Sequence, residues 1–116
     1  MSKNGLQEGD IVVADFTGKH GGRHPGLVVD ATNSDHIEVA RGTTWRRDRW
    51  LPSSFLVDED ELRGTGLRKA TRFDLDAKER IRVGVGAIRK VGRMQDTAAI
   101  RSRLVAALKG RARRPS

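Results

Sequence analysis

Four side chains suited to acid–base or phosphate chemistry crowd one short stretch: Lys19, His20, Arg23 and His24. Imidazole is the group best matched to proton transfer near neutral pH. Guanidinium presents a fixed fork of donors that fits phosphate oxygens. A stretch that holds both can take up a proton, return one and neutralise an anion. Gly, Lys and His are also ordinary in exposed hairpin connections, and a histidine beside a proline can simply pack at a strand start. The two readings are separated by what else comes near these residues in the fold.

A second cluster follows at residues 44–50, where Trp45 and Trp50 are interleaved with Arg46, Arg47 and Arg49. Bases of single-stranded nucleic acid stack on aromatic rings and guanidinium planes, at roughly 1–3 kcal/mol per base. With few aromatics in the chain, one tryptophan is expected to anchor the core. Trp50, beside Leu51, is the candidate for that place, and Trp45 for a ligand contact. Other chemistries find little support. The chain has no cysteine, so neither a disulfide framework nor a thiolate metal site is available. His20, His24 and His36 lack a helical i, i+4 arrangement, and Gly84-Val85-Gly86 is too short for a dinucleotide motif. No metal and no cofactor is expected.

The frame that must position these groups is legible in the apolar pattern. Residues 11–16 and 27–31 are β-branched runs bounded by Gly and Pro, and they read as strands with residues 17–26 as the loop between. The turn-formers at 32–35 predict a hairpin into a third strand at 36–40. Residues 41–52 read as a basic loop, 54–57 as a short strand, and the acidic run 58–61 as a solvated turn. Residues 70–75 and 81–88 alternate and read as two further strands. From Gln95 the period lengthens: Asp96 or Thr97 can cap a helix whose stripe is Ile100, Leu104, Ala107 and Leu108, with Gly110 as its stop. Short strands followed by one helix predict a mainly β fold with a C-terminal helix, a strongly bent antiparallel sheet in a single domain.

At 116 residues the chain is long enough to bury a core without staples. No apolar run approaches the roughly 20 residues of a membrane span, and a soluble cytoplasmic protein is expected. The net charge of +8 points to polyanionic partners. Its distribution qualifies this. Six of the 23 basic residues lie at 101–116, where no acidic residue falls, leaving 17 basic against 15 acidic over residues 1–100. Residues 1–8 read as a disordered lead-in, 9–110 as the domain and 111–116 as a basic tail.

Taken together, the segment GDIVVADF, the polar loop, RHPGLVV, IEVARGTT, and VGRMQDT opening a helix that ends ALKG resemble the MazF/PemK-like toxins of type II toxin–antitoxin systems. The resemblance runs in order over residues 9–110 and is weakest between 45 and 75. It implies a small SH3-like antiparallel barrel, a homodimer, a cognate acidic antitoxin, and metal-independent cleavage of single-stranded RNA. It also implies catalytic roles near Pro25 and for Thr43 or, one residue on, Thr44. The family carries Arg immediately before that proline, where this chain has His24, with Arg23 one position earlier. On this basis Arg23 is assigned transition-state charge, His24 proton transfer and Thr43 positioning. Lys19, His20, Thr44, Trp45, Arg46, Arg47 and Arg49 are assigned to RNA binding, with His20 a reserve proton carrier. The alternative is a non-enzymatic barrel that binds nucleic acid or protein, the family Arg having been lost.

Overall fold

The computed structural model describes residues 5–17, 21–33, 35–83 and 88–115. Six strands form one antiparallel sheet: β1 (Asp10–Phe16), β2 (Gly22–Asp30), β3 (His36–Thr44), β4 (Ser54–Val57), β5 (Thr71–Arg82) and β6 (Arg89–Arg93). Their order across the sheet is β4-β5-β3-β2-β1-β6. A single helix, α1 (Ala98–Leu108), follows and packs on β4 and β5. The expected mainly β fold with a C-terminal helix is what the chain adopts, a small barrel-like sheet.

Two apolar clusters explain the bend. Ile11, Leu27, Phe55, Phe73, Leu75 and Met94 pack under the helix residues Ile100 and Ala107. On the opposite face Val12, Ala14, Phe16, Val28, Ile37 and Val39 gather with Leu6. Successive residues of one strand point to opposite faces, so β1 to β3 feed both clusters in alternation. Leu6 lies ahead of the boundary drawn at Gly9, yet it is buried.

Long β5 serves two partners because its ladder with β3 is interrupted. Ala40 is opposite Lys78, but Gly42 is opposite Phe73, so the extra residues sit on β5. A bulge of this kind bends the strand. One half of β5 then pairs with the start of β3, and the other half pairs with both β4 and the end of β3.

Several boundaries differ from the pattern-based expectation. β2 begins at Gly22 rather than Leu27, and β3 runs on to Thr44 rather than stopping at Ala40. Arg23, His24, Thr43 and Thr44 are therefore strand residues, not loop residues. The single strand expected over 81–88 is instead the end of β5 followed, after residues 84–87 outside the described set, by β6. The acidic run forms one 3-10 turn over Glu59–Glu61, closed by a reciprocal Asp58–Glu61 capping box. Thr97 caps α1, accepting from the Ile100 amide at 3.1 Å. Of the expected helix stripe, Ile100 and Ala107 are buried and Leu104 is half-buried, but Leu108 is 51% exposed. Only α1's contact with a short sheet edge has to be apolar, so the covered stripe is narrower than its periodicity suggests.

Asp10 locks the far edge of the sheet. It is fully buried, accepting from Arg93 Nη1 at 2.7 Å and from the Gln7 amide at 2.8 Å, with Lys90 Nζ 3.4 Å away. Both cations come from β6, so this carboxylate fastens β6 to β1. A charge with no access to water requires such partners.

Candidate active site

The site arises where two strands part. β2 and β3 are paired from Asp30 and Glu38 as far as Gly26 and Arg41, and there the ladder ends. Beyond that point β2 stays with β1, setting Pro25, His24 and Arg23 opposite Val13, Ala14 and Asp15. β3 stays with β5, setting Gly42, Thr43 and Thr44 opposite Phe73, Arg72 and Thr71. Pro25 has no N–H to donate, and it falls just past the last β2–β3 pair, where none is needed on that side. The gap left between the strands is a cleft of about 310 Å3.

His24, Pro25, Gly42, Thr43 and Thr44 line this cleft, with Val13, Thr71 and Val91 beside them. The register that ends at Gly26 and Arg41, continued two residues, puts His24 and Thr43 opposite each other across the gap. The half-buried His24 ring stands edge-on to Phe16, with centroids 6.2 Å apart. Gly42 is required here by close approach, because a β-carbon would come within 2.7 Å of the Phe73 ring.

The remaining wall is the segment Gly66-Leu67-Arg68-Lys69, between the 3-10 turn and β5. It is held closely. Gly66 has φ +75°, and a β-carbon there would lie 2.4 Å from the Val91 carbonyl oxygen. Gly92 answers from β6, where a β-carbon would lie 2.3 Å from the Thr65 backbone. Buried Thr65 donates its hydroxyl to the Leu62 carbonyl and accepts from the Leu67 amide. Beyond the wall, the Thr71 hydroxyl donates to the Lys69 carbonyl at 2.9 Å and the Trp45 amide to the Ala70 carbonyl at 3.0 Å.

The other candidate residues are distributed around this cleft. Arg23, one position from His24, is ion-paired with Asp15 at 3.5 Å and is not among the residues that line the cleft. Trp45 and Trp50 meet edge to face, with centroids 5.5 Å apart, and both are half-buried. Trp50 is not in either core cluster: its indole N–H donates to the Ala112 carbonyl at 3.2 Å, and the Ala112 amide donates to Pro52, so the segment after α1 folds back along it. Arg46 pairs with Asp48 at 3.6 Å in an exposed turn, and Arg47 and Arg49 are exposed beside it. Lys19 and His20 lie outside the described residues.

Arg68 and Lys69 were missed by the sequence reading. No motif surrounds them, and only the fold brings their segment against the His24–Thr43 gap.

No protein-family model matches the sequence, and no curated protein is similar to it at a significant level. Solved structures do match. A chain of a mycobacterial endoribonuclease in complex with its cognate antitoxin is 18% identical and superposes with a TM-score of 0.64, over 89% of this chain and 90% of that one. The Mycobacterium tuberculosis toxin MazF-mt6 gives 22% and 0.61, over 85% and 91%. A chain of the Deinococcus radiodurans MazE–MazF structure gives 16% and 0.57, over 88% and 87%. At such identities the likeness speaks for the fold, and it extends over nearly the whole of each chain. This protein has the MazF-like toxin fold.

Proposed function

We propose that the protein is the toxin of a type II toxin–antitoxin pair, a metal-independent endoribonuclease acting on single-stranded RNA at the cleft between β2 and β3. The observation that carries this reading is the parting of the two strands, which gathers His24, Thr43 and Thr44 at one opening. The shared fold with an endoribonuclease and with MazF chains supports the class of activity.

In the proposed reaction the His24 imidazole takes the proton of a ribose 2′-hydroxyl. The 2′-oxygen forms a bond to the adjacent phosphorus, the bond to the 5′-oxygen breaks, and the leaving oxygen takes a proton from solvent. The products are a 2′,3′-cyclic phosphate and a 5′-hydroxyl. The Thr43 hydroxyl donates to a non-bridging phosphate oxygen and holds the group in line, and Thr44, on the other face of β3, contacts the flanking strand of RNA. Arg23, tied to Asp15 and outside the cleft lining, is not given the charge-stabilising role here. The antitoxin partner, by charge complementarity to a +8 chain, is an acidic polypeptide, and the working unit is a homodimer.

The test is incubation of the purified protein with a long single-stranded RNA in EDTA. Fragments ending in 2′,3′-cyclic phosphate are expected. A non-enzymatic RNA-binding barrel is the second reading, supported by histidine rather than arginine before Pro25. It predicts salt-sensitive binding with intact RNA.

A further inference from the structure

The cleft's chemistry is asymmetric. The strand side is lined by His24, Thr43, Thr44 and Thr71, the Thr71 hydroxyl being committed to the Lys69 carbonyl, and no carboxylate lines the opening among the described residues. Its formal positive charge comes from the opposite wall, from Arg68 and Lys69. Some basic side chains elsewhere are committed, Arg93 and Lys90 to Asp10, Arg103 to Glu61 and the Leu56 carbonyl, Arg101 to Asp96, while others such as Arg47, Arg49 and Arg82 lie uncommitted among the described residues but away from the cleft. Among the described residues, neither Arg68 nor Lys69 has a side-chain ion pair or hydrogen bond. Arg68 and Lys69 are thus two adjacent, exposed cations without counter-ions on the rim of a cleft. They are placed there by a segment whose glycine packing against β6 leaves it little freedom.

We propose that the Gly66–Lys69 wall is a phosphate-binding element, in which Arg68 and Lys69 hold backbone phosphates of a single-stranded nucleic acid across the cleft from His24 and Thr43. The proposal rests on the reading of the cleft as an RNA site and adds the wall that grips the strand. Anion binding needs donors already in position, because ordering them at the moment of binding costs side-chain and backbone entropy. The close approach of Gly66 to Val91 and of Gly92 to Thr65 fixes the backbone that carries them in the free protein. An arginine gives a fork to one phosphate and a lysine a point charge to the next. Contacts of this kind set register along the strand without reading its bases.

The test uses the full chain and a uniformly 2′-O-methylated single-stranded oligonucleotide, which keeps the phosphates but lacks the attacking hydroxyl. Affinity is measured against salt for the unaltered protein and for R68Q, K69Q, R68K and R82Q. Each charge removed from the wall should make the log–log salt slope shallower by about 0.7 and weaken binding about tenfold or more at low salt. R68K should keep the slope, and so should R82Q, which lies opposite His36 at the other end of β3. Unchanged slopes in both R68Q and K69Q, an equal loss in R82Q, or no binding by the unaltered protein would overturn the proposal. Because this oligonucleotide is never cut, its result is independent of whether ordinary RNA is cleaved. Binding through the wall with no cleavage would reject the nuclease and leave the wall standing.

Discussion

Two pairs of cations lie near each other and do opposite work. Arg93 and Lys90 on β6 converge on the buried Asp10 carboxylate. Arg68 and Lys69 stand on the neighbouring segment, which rests on the same strand β6, and face an open cleft with no acid. The first pair is charge spent on the fold, since a fully buried carboxylate without partners would not be tolerated. The second pair does nothing for the fold that the structure reveals. The difference shows why net charge is a poor guide to function here: what matters is which cations remain uncommitted, and where.

The contrast breaks most sharply at Asp10. Asp10→Ala removes the carboxylate that ties Arg93, Lys90 and the Gln7 amide to β1, leaving the β1–β6 ladder with its backbone pairs alone, so a loss of about 3 kcal/mol is expected. Thermal melting should show it as a large fall in Tm, with cleavage lost only because the protein unfolds. Gly66→Ala acts on the wall itself. The added carbon meets the Val91 carbonyl oxygen, and the φ of +75° disfavours any residue with a β-carbon. A loss of about 1–3 kcal/mol is expected, with weaker RNA binding measured below the melting range. Asp15→Asn releases the exposed Arg23 partner and should change stability by less than about 1 kcal/mol. It should leave RNA cleavage within twofold, whereas a large loss would return Arg23 to the reaction.

Much of the frame was readable from sequence because it obeys simple periods. The apolar runs of β1 and of the second half of β2, the turn at 32–35, the compact β4 and the capped helix all carry local signals that agree with their final surroundings. The reading failed where the backbone ladder, not side-chain burial, makes the strand. Gly22, Arg23 and His24 have no apolar alternation, yet β1 continues opposite them and satisfies their backbone. Thr43 and Thr44 join β3 for the same reason, with β5 as partner. RKVGR falls just beyond the strand expected over 81–88, because β6 pairs with β1 and keeps most of its side chains exposed, so no apolar alternation marks it. His24 and Thr43 stand out in the sequence by residue type. Their meeting was legible only through a hairpin register that the apolar pattern underdetermines, and Arg68 and Lys69 carried no signal at all.

Trp50 shows a different limit. Its neighbourhood suggested a core anchor, but its partner is the Ala112 carbonyl, far along the chain in a segment with no apolar run. A polar tail folding over an amphipathic indole satisfies both its ring and its N–H. Composition alone does not announce such contacts.

The cleft between β2 and β3 is proposed as the reaction centre, and its residues can be tested directly. The direct measurement compares the initial rate of single-stranded RNA cleavage in EDTA for the unaltered protein, His24→Ala and Thr43→Ala, each checked by melting for an intact fold. Loss of a positioned proton-transfer group should lower the His24→Ala rate by about 100-fold or more. Thr43→Ala should lower it less, and both should melt within a few degrees of the parent. Cleavage that persists undiminished when both residues are replaced together would contradict the account and move the chemistry elsewhere on the fold.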